Sequence, residues 1–403
     1  MLPYDQARAM VIRRVSALRK TTAAEKKPLR AALGFVLAEK IIADRAYPPF
    51  NRSTRDGYAL RAADVSPGAV LSCAGELKAG DKSTKRLPPG ACIQIMTGAA
   101  APPGADAVVM IEQTSRAGDA VTFERGASAG QNIVPRGSEA RAGAVLLPSG
   151  QRLGFAEIAL AAQAGATRPS VHRKPRVAIL STGDEVVPAE TTPGPFQIRN
   201  SNEFSLAAQT LLTGGEPVEL GNAPDQSVAL RRRIEKGLRS DVLVLSGGVS
   251  MGKYDLVEGV LRELGTRFFF DAVAIRPGRP AVFGICRGVP VFGLPGNPVS
   301  TMVTFELFVV PALDILSGAE ARPLPLLRAK LAEPVRQKGG LTHFLPARIE
   351  WSGGEAAVRE LRWKGSGDIA ALSRANCFLV VAAEHLEQAA GEWATVLPRR
   401  DIL

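Results

Sequence analysis

Short apolar segments alternate with helical ones through the middle of the chain, and this alternation constrains the fold more than any other feature. Three runs with the composition of strands and two with helical periodicity follow one another in the order Arg176–Leu180, Ser201–Leu212, Asp241–Leu245, Val289–Leu294 and Val299–Leu316. Strands that alternate with helices form parallel β-α-β units. The sequence therefore predicts a doubly wound α/β domain over residues 172–318.

The segments on either side of this domain have the composition of β structure. Up to about Gln151 the chain is rich in Gly and Pro turns between short apolar runs, and Phe155–Gln163 has helical periodicity. A Pro-rich link, Arg322–Pro325, precedes about 80 residues in which apolar and polar positions alternate. A length of 403 residues also exceeds one ordinary core. We therefore predict a multidomain protein of α/β and β structure.

Each of the three predicted strands ends in a loop rich in glycine, hydroxyl or amide groups. These loops are Ser181–Thr182–Gly183–Asp184–Glu185, Ser246–Gly247–Gly248–Val249–Ser250 and Pro295–Gly296–Asn297–Pro298–Val299–Ser300. Ligands of open parallel sheets bind beyond the carboxyl ends of the strands. Glycine lets backbone N–H groups approach a phosphate, and hydroxyl groups add further donors. Although each loop alone is also compatible with an ordinary turn, together they predict a shared anion site. None is a Walker or GxGxxG motif, which disfavours ordinary nucleotide-binding folds.

Carboxylates in and beside these loops predict a divalent cation. Asp184, Glu185 and Asp255 would lie beside bound phosphate, where a carboxylate is repelled unless a cation bridges the two. Mg²⁺ prefers such oxygen ligands. The alternatives are that Asp184 caps its turn and that Glu185 and Asp255 are solvated loop acids.

The segment Arg276–Pro277–Gly278–Arg279–Pro280 predicts an oxyanion site. It places two guanidinium groups three residues apart, and the prolines stiffen the segment between and after them. Guanidinium groups offer several N–H donors and bind tetrahedral oxyanions well. The alternative is a solvated basic turn.

Composition excludes several other classes of protein. The net charge of +11 favours anionic partners, but only 5% of residues are aromatic, which disfavours stacking on nucleic acid. Cys73, Cys92, Cys286 and Cys377 form no CxxC pair, and the three histidines match no metal-binding pattern. No apolar run approaches the length of a membrane span, and no export signal is recognisable. We therefore expect a cytoplasmic protein that binds neither nucleic acid nor membrane.

At six motifs the chain resembles the molybdopterin molybdenumtransferase family. The matching stretches are NRSTRDGYA, IMTGA, STGDEVV, SGGVSMGKYD, RPGRP and GLPGNPVS, which occur in the family's order across nearly the whole chain. The resemblance implies an elongated, four-domain protomer whose α/β domain is similar to the MogA and MoaB proteins. The implied reaction inserts molybdenum from molybdate into adenylylated molybdopterin, with Mg²⁺ assisting and AMP leaving. It also implies a homodimer whose active site lies between two subunits.

The resemblance assigns roles to particular residues. Those on family catalytic positions are Asp56, Thr97, Glu185, Asp225 and Asp255. The substrate-binding residues are Ser181, Thr182, Gly183, Asp184, Ser246, Gly247, Gly248, Ser250, Pro295, Gly296, Asn297 and Pro298. Glu139 falls where the family usually has Asp and is assigned to the metal site with Glu185 and Asp255. The molybdate site consists of Arg276, Arg279, Pro280, Ser300, Arg348 and Ser366. Two departures stand out, because Arg276 and Arg279 replace lysines and Arg55 replaces a methionine.

The same resemblance divides the chain into four domains. Residues 1–25 and 43–136 form an N-terminal α+β domain, and 26–42 and 137–171 a small β-rich domain. Residues 172–318 form the α/β molybdopterin-binding domain, and 319–403 the C-terminal β domain. The adenylyltransferase that supplies the substrate is a candidate partner.

Two other functions remain open from the sequence. A molybdopterin adenylyltransferase shares the α/β domain, but such proteins usually consist of that domain alone, without NRSTRDGYA or RPGRP. A non-catalytic scaffold derived from the same fold needs no cluster of carboxylates, and this chain has one.

Overall fold

The computed structural model describes residues 1–82, 84–248 and 256–402. Helix α1 spans Tyr4–Ser16, and its buried residues Ala7, Val11 and Val15 recur at the spacing of one helical face. This face packs into the core of the α/β region, and Leu2 forms a bridge to Val273. The α/β region therefore buries the apolar face of α1.

The remainder of the N-terminal part is strand-rich, as expected. Its elements are β1 Ala24–Lys26, β2 Val36–Leu37, β3 Ile41–Ile42, β4 Arg52–Ser53, β5 Gly57–Leu60, β6 Val70–Leu77, β7 Ala91–Ile95, β8 Ala107–Met110, β9 Thr114–Ala117, β10 Ala120–Phe123, β11 Ile133–Val134, β12 Val145–Leu147, α2 Phe155–Gln163 and β13 Ser170–His172. Short 3-10 helices occupy Leu29–Ala31, Ala62–Asp64 and Ile111–Gln113. Strands β8-β5-β7-β6-β10-β9 form a six-stranded sheet, and β1-β13-β2 a separate small one.

The middle of the chain forms the doubly wound region. Its elements are β14 Arg176–Thr182, β15 Val186–Val187, β16 Ile198–Arg199, α3 Ser201–Thr213, β17 Glu216–Ala223, α4 Ser227–Gly237, β18 Val242–Ser246, α5 Leu256–Glu263, β19 Arg267–Phe270, β20 Ile275–Arg276, β21 Val282–Cys286, β22 Val289–Leu294, α6 Pro298–Thr304, a π-helical turn Phe305–Val309 and α7 Val310–Leu316. The sheet order is β17-β14-β18-β22-β21-β19. The first four strands are mutually parallel, β21 is antiparallel to β22, and β19 is antiparallel to β21.

Apolar residues pack on both faces of this sheet and bury its central strands β14, β18 and β22. Val177 and Ile179 of β14 belong to the core beneath α3, α6 and α7, whereas Ala178 and Leu180 belong to the core beneath α4 and α5. Alternating side chains of one strand therefore enter two cores, which explains the continuous apolar runs in the sequence.

The helical run Pro298–Leu316 is 19 residues long and apolar enough to cross a membrane by length and composition. This differs from the sequence expectation that no segment approaches a membrane span. However, 83% of the run is buried within the protein. The core beneath the sheet therefore accounts for its apolar character.

The C-terminal part is a closed β-barrel. Its elements are β23 Leu327–Leu331, β24 Val335–Arg336, β25 Thr342–Ser352, β26 Glu355–Glu360, α8 Ile369–Arg374, β27 Cys377–Val381, β28 Glu387–Gln388 and β29 Trp393–Pro398. Strands β25-β26-β23-β29-β27 close on themselves through the β25–β27 pairing. The two-residue strand β20 of the α/β region also pairs with β25, so that Arg276 lies opposite His343. This pairing joins the barrel to the α/β region beside the predicted oxyanion segment.

Candidate active site

The carboxyl ends of β14, β18 and β22 lie side by side, because Ser181 is in register with Ser246 and Ser246 with Leu294. The loops that follow these strands border an open cleft of about 800 Å³. The predicted residues that line this cleft are Ser181, Thr182, Gly183, Glu185, Asp225, Ser246, Gly247, Gly248, Pro295, Gly296, Asn297 and Pro298. Two other predicted residues, Ser250 and Asp255, lie outside the described residues.

Glycine is required where two of these loops meet. Gly247 has φ +91°, and a Cβ atom there would lie 2.7 Å from the Thr182 carbonyl oxygen. A side chain at Gly247 would therefore be strained and would also collide with the neighbouring backbone. The close approach keeps the two loops together at the base of the cleft.

Two asparagines that sequence reasoning missed hold the loops in place. Asn202 Nδ2 donates to Ser246 Oγ and to the Gly296 carbonyl oxygen, both at 2.7 Å. Ser181 Oγ donates to Asn200 Oδ1 at 2.9 Å. Asn200 also caps the N-terminus of α3, whose first residues line the cleft. The sequence signal for them is Asn200–Ser201–Asn202 at the start of a helix, because asparagine favours the N-cap position and a helix N-terminus favours a bound anion.

Three carboxylates lie together at one side of this cleft. The Asp225 N–H donates to Asp184 Oδ1 at 3.0 Å. Burial and the nearby charges of Asp184 and Glu185 raise the pKa of Asp225. Within the described residues, no three acidic, histidine or cysteine side chains converge closely enough to hold a metal ion unaided. The cluster therefore offers negative charge for a cation but needs ligands from elsewhere to complete its coordination.

A second cleft, of about 1170 Å³, adjoins the first and is strongly cationic. The two share Pro280, Pro295 and Asn297 in their walls. The predicted oxyanion residues Arg276, Arg279, Pro280, Ser300 and Ser366 all line the second cleft. So do Arg336, Lys338, His343 and Lys364, which sequence reasoning missed because they come from separate segments of the C-terminal part. No carboxylate is present among the described residues that line it.

Contacts across the shared wall fix the relation between the two clefts. Asn297 Nδ2 donates to Ser366 Oγ at 2.8 Å, and the Val299 N–H donates to the Ser366 carbonyl oxygen at 3.0 Å. Arg279 Nε contacts Met1 Sδ at 3.1 Å. The start of α6 and the segment before α8 are therefore held together where the clefts meet.

Arg348 does not line the cationic cleft. Its Nε donates to Glu350 Oε1 at 2.8 Å on the exposed side of β25. His343 and Leu345 of the same strand do line the cleft. Since side chains alternate along a strand, Arg348 projects from the opposite face.

The three remaining predicted residues lie together in the N-terminal part. The Thr97 N–H donates to Asp56 Oδ1 at 2.6 Å, and the backbone and side chain of Thr97 lower the pKa of Asp56. Glu139 forms an ion pair with Arg52 at 3.1 Å. Arg52 precedes Ser53, whose carbonyl oxygen accepts from the Gly98 N–H. None of Asp56, Thr97 and Glu139 lines either cleft of the same chain.

The fold and the two clefts define a class: a multidomain α/β protein with a cleft of glycine, hydroxyl and amide groups at the carboxyl edge of its sheet and an adjoining cationic cleft. Family models identify it further. Residues 2–165 match the MoeA N-terminal region (domain I and II), 178–315 a probable molybdopterin binding domain, and 328–398 the MoeA C-terminal region (domain IV).

Individual relatives agree over the whole length. The chain is 33% identical to the molybdopterin molybdenumtransferase of Haemophilus influenzae, with complete coverage of both chains. It is also 33% identical to that of Bacillus subtilis over 94% of this chain and 90% of the relative. A crystal structure of the molybdopterin biosynthesis MoeA protein from Pyrococcus horikoshii OT3 superposes with a TM-score of 0.81, at 29% identity, over 99% of this chain and all of the other. The chain belongs to the MoeA family.

Proposed function

We propose that this chain is an enzyme that transfers molybdenum from molybdate into adenylylated molybdopterin and releases AMP. The observation that carries the proposal is the meeting of two different anion clefts at Pro280, Pro295 and Asn297. One offers glycine, hydroxyl and amide groups beside carboxylates, and the other offers cations without a carboxylate in its described lining. Family membership supports the same assignment, because the relatives named above are molybdenumtransferases.

The two clefts divide the recognition of the substrates. Phosphate groups of the adenylylated pterin bind in the loops after β14, β18 and β22, at the N-terminus of α3. Molybdate is a tetrahedral dianion at neutral pH, and Arg276 and Arg279 match its charge. Arginine keeps the positive charge of lysine but presents a planar fork of donors, so oxyanion affinity differs from that of relatives with lysine.

The carboxylate cluster fits a magnesium ion bound together with phosphate. Burial and the negative charges of Asp184 and Glu185 raise the pKa of Asp225, and a divalent cation would offset those charges. Mg²⁺ is usually held by one or two carboxylates, water and substrate phosphate, so Glu185 with Asp255 suffices. The bound ion would neutralise charge on the phosphates. Glu139 is absent from the described lining of this cleft, so its metal role depends on a second subunit.

A homodimer is part of the proposal. Asp56 and Thr97 lie outside both clefts of their own chain, and a neighbouring subunit would bring them to the substrate. A cytoplasmic location is also proposed, because all four cysteines are buried free thiols, as in a reducing compartment. The adenylyltransferase that makes the substrate is the proposed partner for its delivery.

Release of AMP tests this function directly. Purified protein is mixed with adenylylated molybdopterin and Mg²⁺, and AMP is quantified by chromatography before and after molybdate is added. We expect AMP to appear only after molybdate addition and in step with molybdenum bound to the pterin. Consumption of ATP with unmodified molybdopterin would identify an adenylyltransferase instead. If neither reaction occurs, a non-catalytic scaffold is the remaining function.

A further inference from the structure

One histidine occupies the cationic cleft and has no role in the function proposed above. The chain has three histidines, and His343 alone lines this cleft. It is only 2% exposed and lies on β25 directly opposite Arg276 of β20. His172 is bonded through Nδ1 to the Thr22 carbonyl oxygen, away from the cleft, and His385 is exposed on the surface.

The hydrogen bond of His343 defines its neutral form. Nε2 lies 3.1 Å from the carbonyl oxygen of Lys338. A carbonyl oxygen only accepts, so Nε2 carries the proton, and in the neutral ring Nδ1 is the atom free to take up a second one. The imidazole is therefore anchored in one orientation at the wall of the cleft.

Positively charged side chains from several segments line the same cleft as this ring. Strand β20 and the turn after it contribute two arginines, the segment from β24 to β25 two cations, and the segment before α8 a lysine; these are Arg276, Arg279, Arg336, Lys338 and Lys364. On the neighbouring strand β27, the uncharged residue Val381 lies opposite His343. Arg336 is paired with Glu387, but Glu387 is not among the described residues of the cleft wall. Burial and the charge of Arg276 lower the pKa of His343, against the opposing effect of the Lys338 carbonyl.

We propose that His343 couples the binding of a dianionic oxyanion in this cleft to the uptake of one proton. Without an anion, burial and the positive charge of Arg276 keep the ring neutral. A dianion held by Arg276 and Arg279 cancels that repulsion and stabilises the imidazolium, which adds one positive charge to the site. This inference rests on the proposed function, since it takes the cleft to be the molybdate site.

Proton uptake has a defined consequence for affinity. Over the pH range between the pKa of His343 in the free and in the loaded protein, molybdate affinity increases by about tenfold per unit of falling pH. Below and above that range the affinity is constant. The affinity for a monoanion such as perchlorate increases less as the pH falls, because a monoanion neutralises only half as much of the surrounding charge.

The test follows molybdate binding and the histidine ring in the full-length protein. Isothermal titration at several pH values, in two buffers of different ionisation enthalpy, gives the affinity and the number of protons taken up. NMR of the three histidine rings, with and without molybdate, identifies which one is protonated. We expect uptake approaching one proton, a raised pKa at His343 and unchanged signals from His172 and His385. His343→Gln should bind molybdate with a nearly flat pH dependence, whereas the control His385→Gln should behave as the wild type.

The possible outcomes distinguish failure of the proton-uptake proposal from failure of the proposed molybdate site. If molybdate binds but the His343 signal and proton count do not change, the inference is wrong while the molybdate site stands. If molybdate does not bind to the wild-type protein, both are wrong. Because the NMR measurement uses the wild-type chain, misfolding of His343→Gln would not prevent the decision.

Discussion

The absence of a side chain at Gly247 allows two loops to meet in the cleft beyond β14, β18 and β22. Gly247→Ala would combine a disfavoured φ of +91° with a Cβ atom 2.7 Å from the Thr182 carbonyl oxygen. Gly143 is the matched control, because its φ is +82° and a Cβ atom there would meet no other atom within 4 Å. We expect Gly247→Ala to lower the free energy of unfolding by about 1–3 kcal/mol more than Gly143→Ala does. Urea denaturation measures both, and equal losses would show that the loops do not depend on this close approach.

Individual site residues were predictable where they fall in one short motif. Arg276 and Arg279 stand three positions apart between prolines, so their shared site was expected from the sequence. Lys338 and His343 come from one segment and Lys364 from another, the barrel brings the two together, and no local pattern marks these residues. Arg348 was assigned by resemblance, and the alternation of β25 directs it away from the cleft.

At the scale of elements, a buried carboxylate joins three parts of the chain. Asp314 of α7 is fully buried and accepts hydrogen bonds from Arg152, which follows β12, and from Arg322, which follows α7. Asp314→Ala would leave the two guanidinium groups without their shared partner. We expect a loss of about 3–5 kcal/mol in the free energy of unfolding.

The exposed pair Arg336–Glu387 provides the control for this substitution. Both of its side chains are more than half exposed, so Glu387→Ala should cost less than about 1 kcal/mol. Denaturant titrations of the two variants give the comparison. A similar small loss in both would mean that Asp314 does not hold these elements together.

Elements with a long apolar pattern were predicted well, and short or edge elements were not. Strand β22 and helix α2 have the bounds expected from the sequence, and β14 and α3 differ only at their ends. The antiparallel strands β19 and β21 were missed, because no helix separates them and the charged, Pro-rich segment Arg276–Pro280 lies between them. Strand β20 has two residues, too few to show any periodicity, yet it joins the barrel to the α/β region.

For the whole molecule, the proposed homodimer implies an active site that is shared between subunits. Thr97→Ala and Glu185→Gln would each inactivate a homodimer, by removing groups from opposite sides of the site. A heterodimer of the two variants would retain one intact site and about half of the wild-type AMP release. Co-purification with two different tags isolates this heterodimer. A fully active monomer in sedimentation, or an inactive heterodimer, would contradict the shared site.

We propose that molybdate and the phosphates bind in separate, adjoining clefts, and the Arg279→Ala variant distinguishes this division from a single shared site. A charge-assisted hydrogen bond is worth about 1.5–3 kcal/mol. The loss should therefore weaken molybdate affinity on the order of tenfold to a hundredfold, while Arg279→Lys should be milder because it keeps the charge.

The decisive measurement is a paired titration of the Arg279→Ala protein, once with molybdate and once with adenylylated molybdopterin. We expect a large loss of molybdate affinity, partial recovery of AMP release in excess molybdate, and little change in pterin affinity. Collapse of pterin affinity with normal molybdate dependence would instead assign the arginine segment to the phosphates and contradict the division between the two clefts.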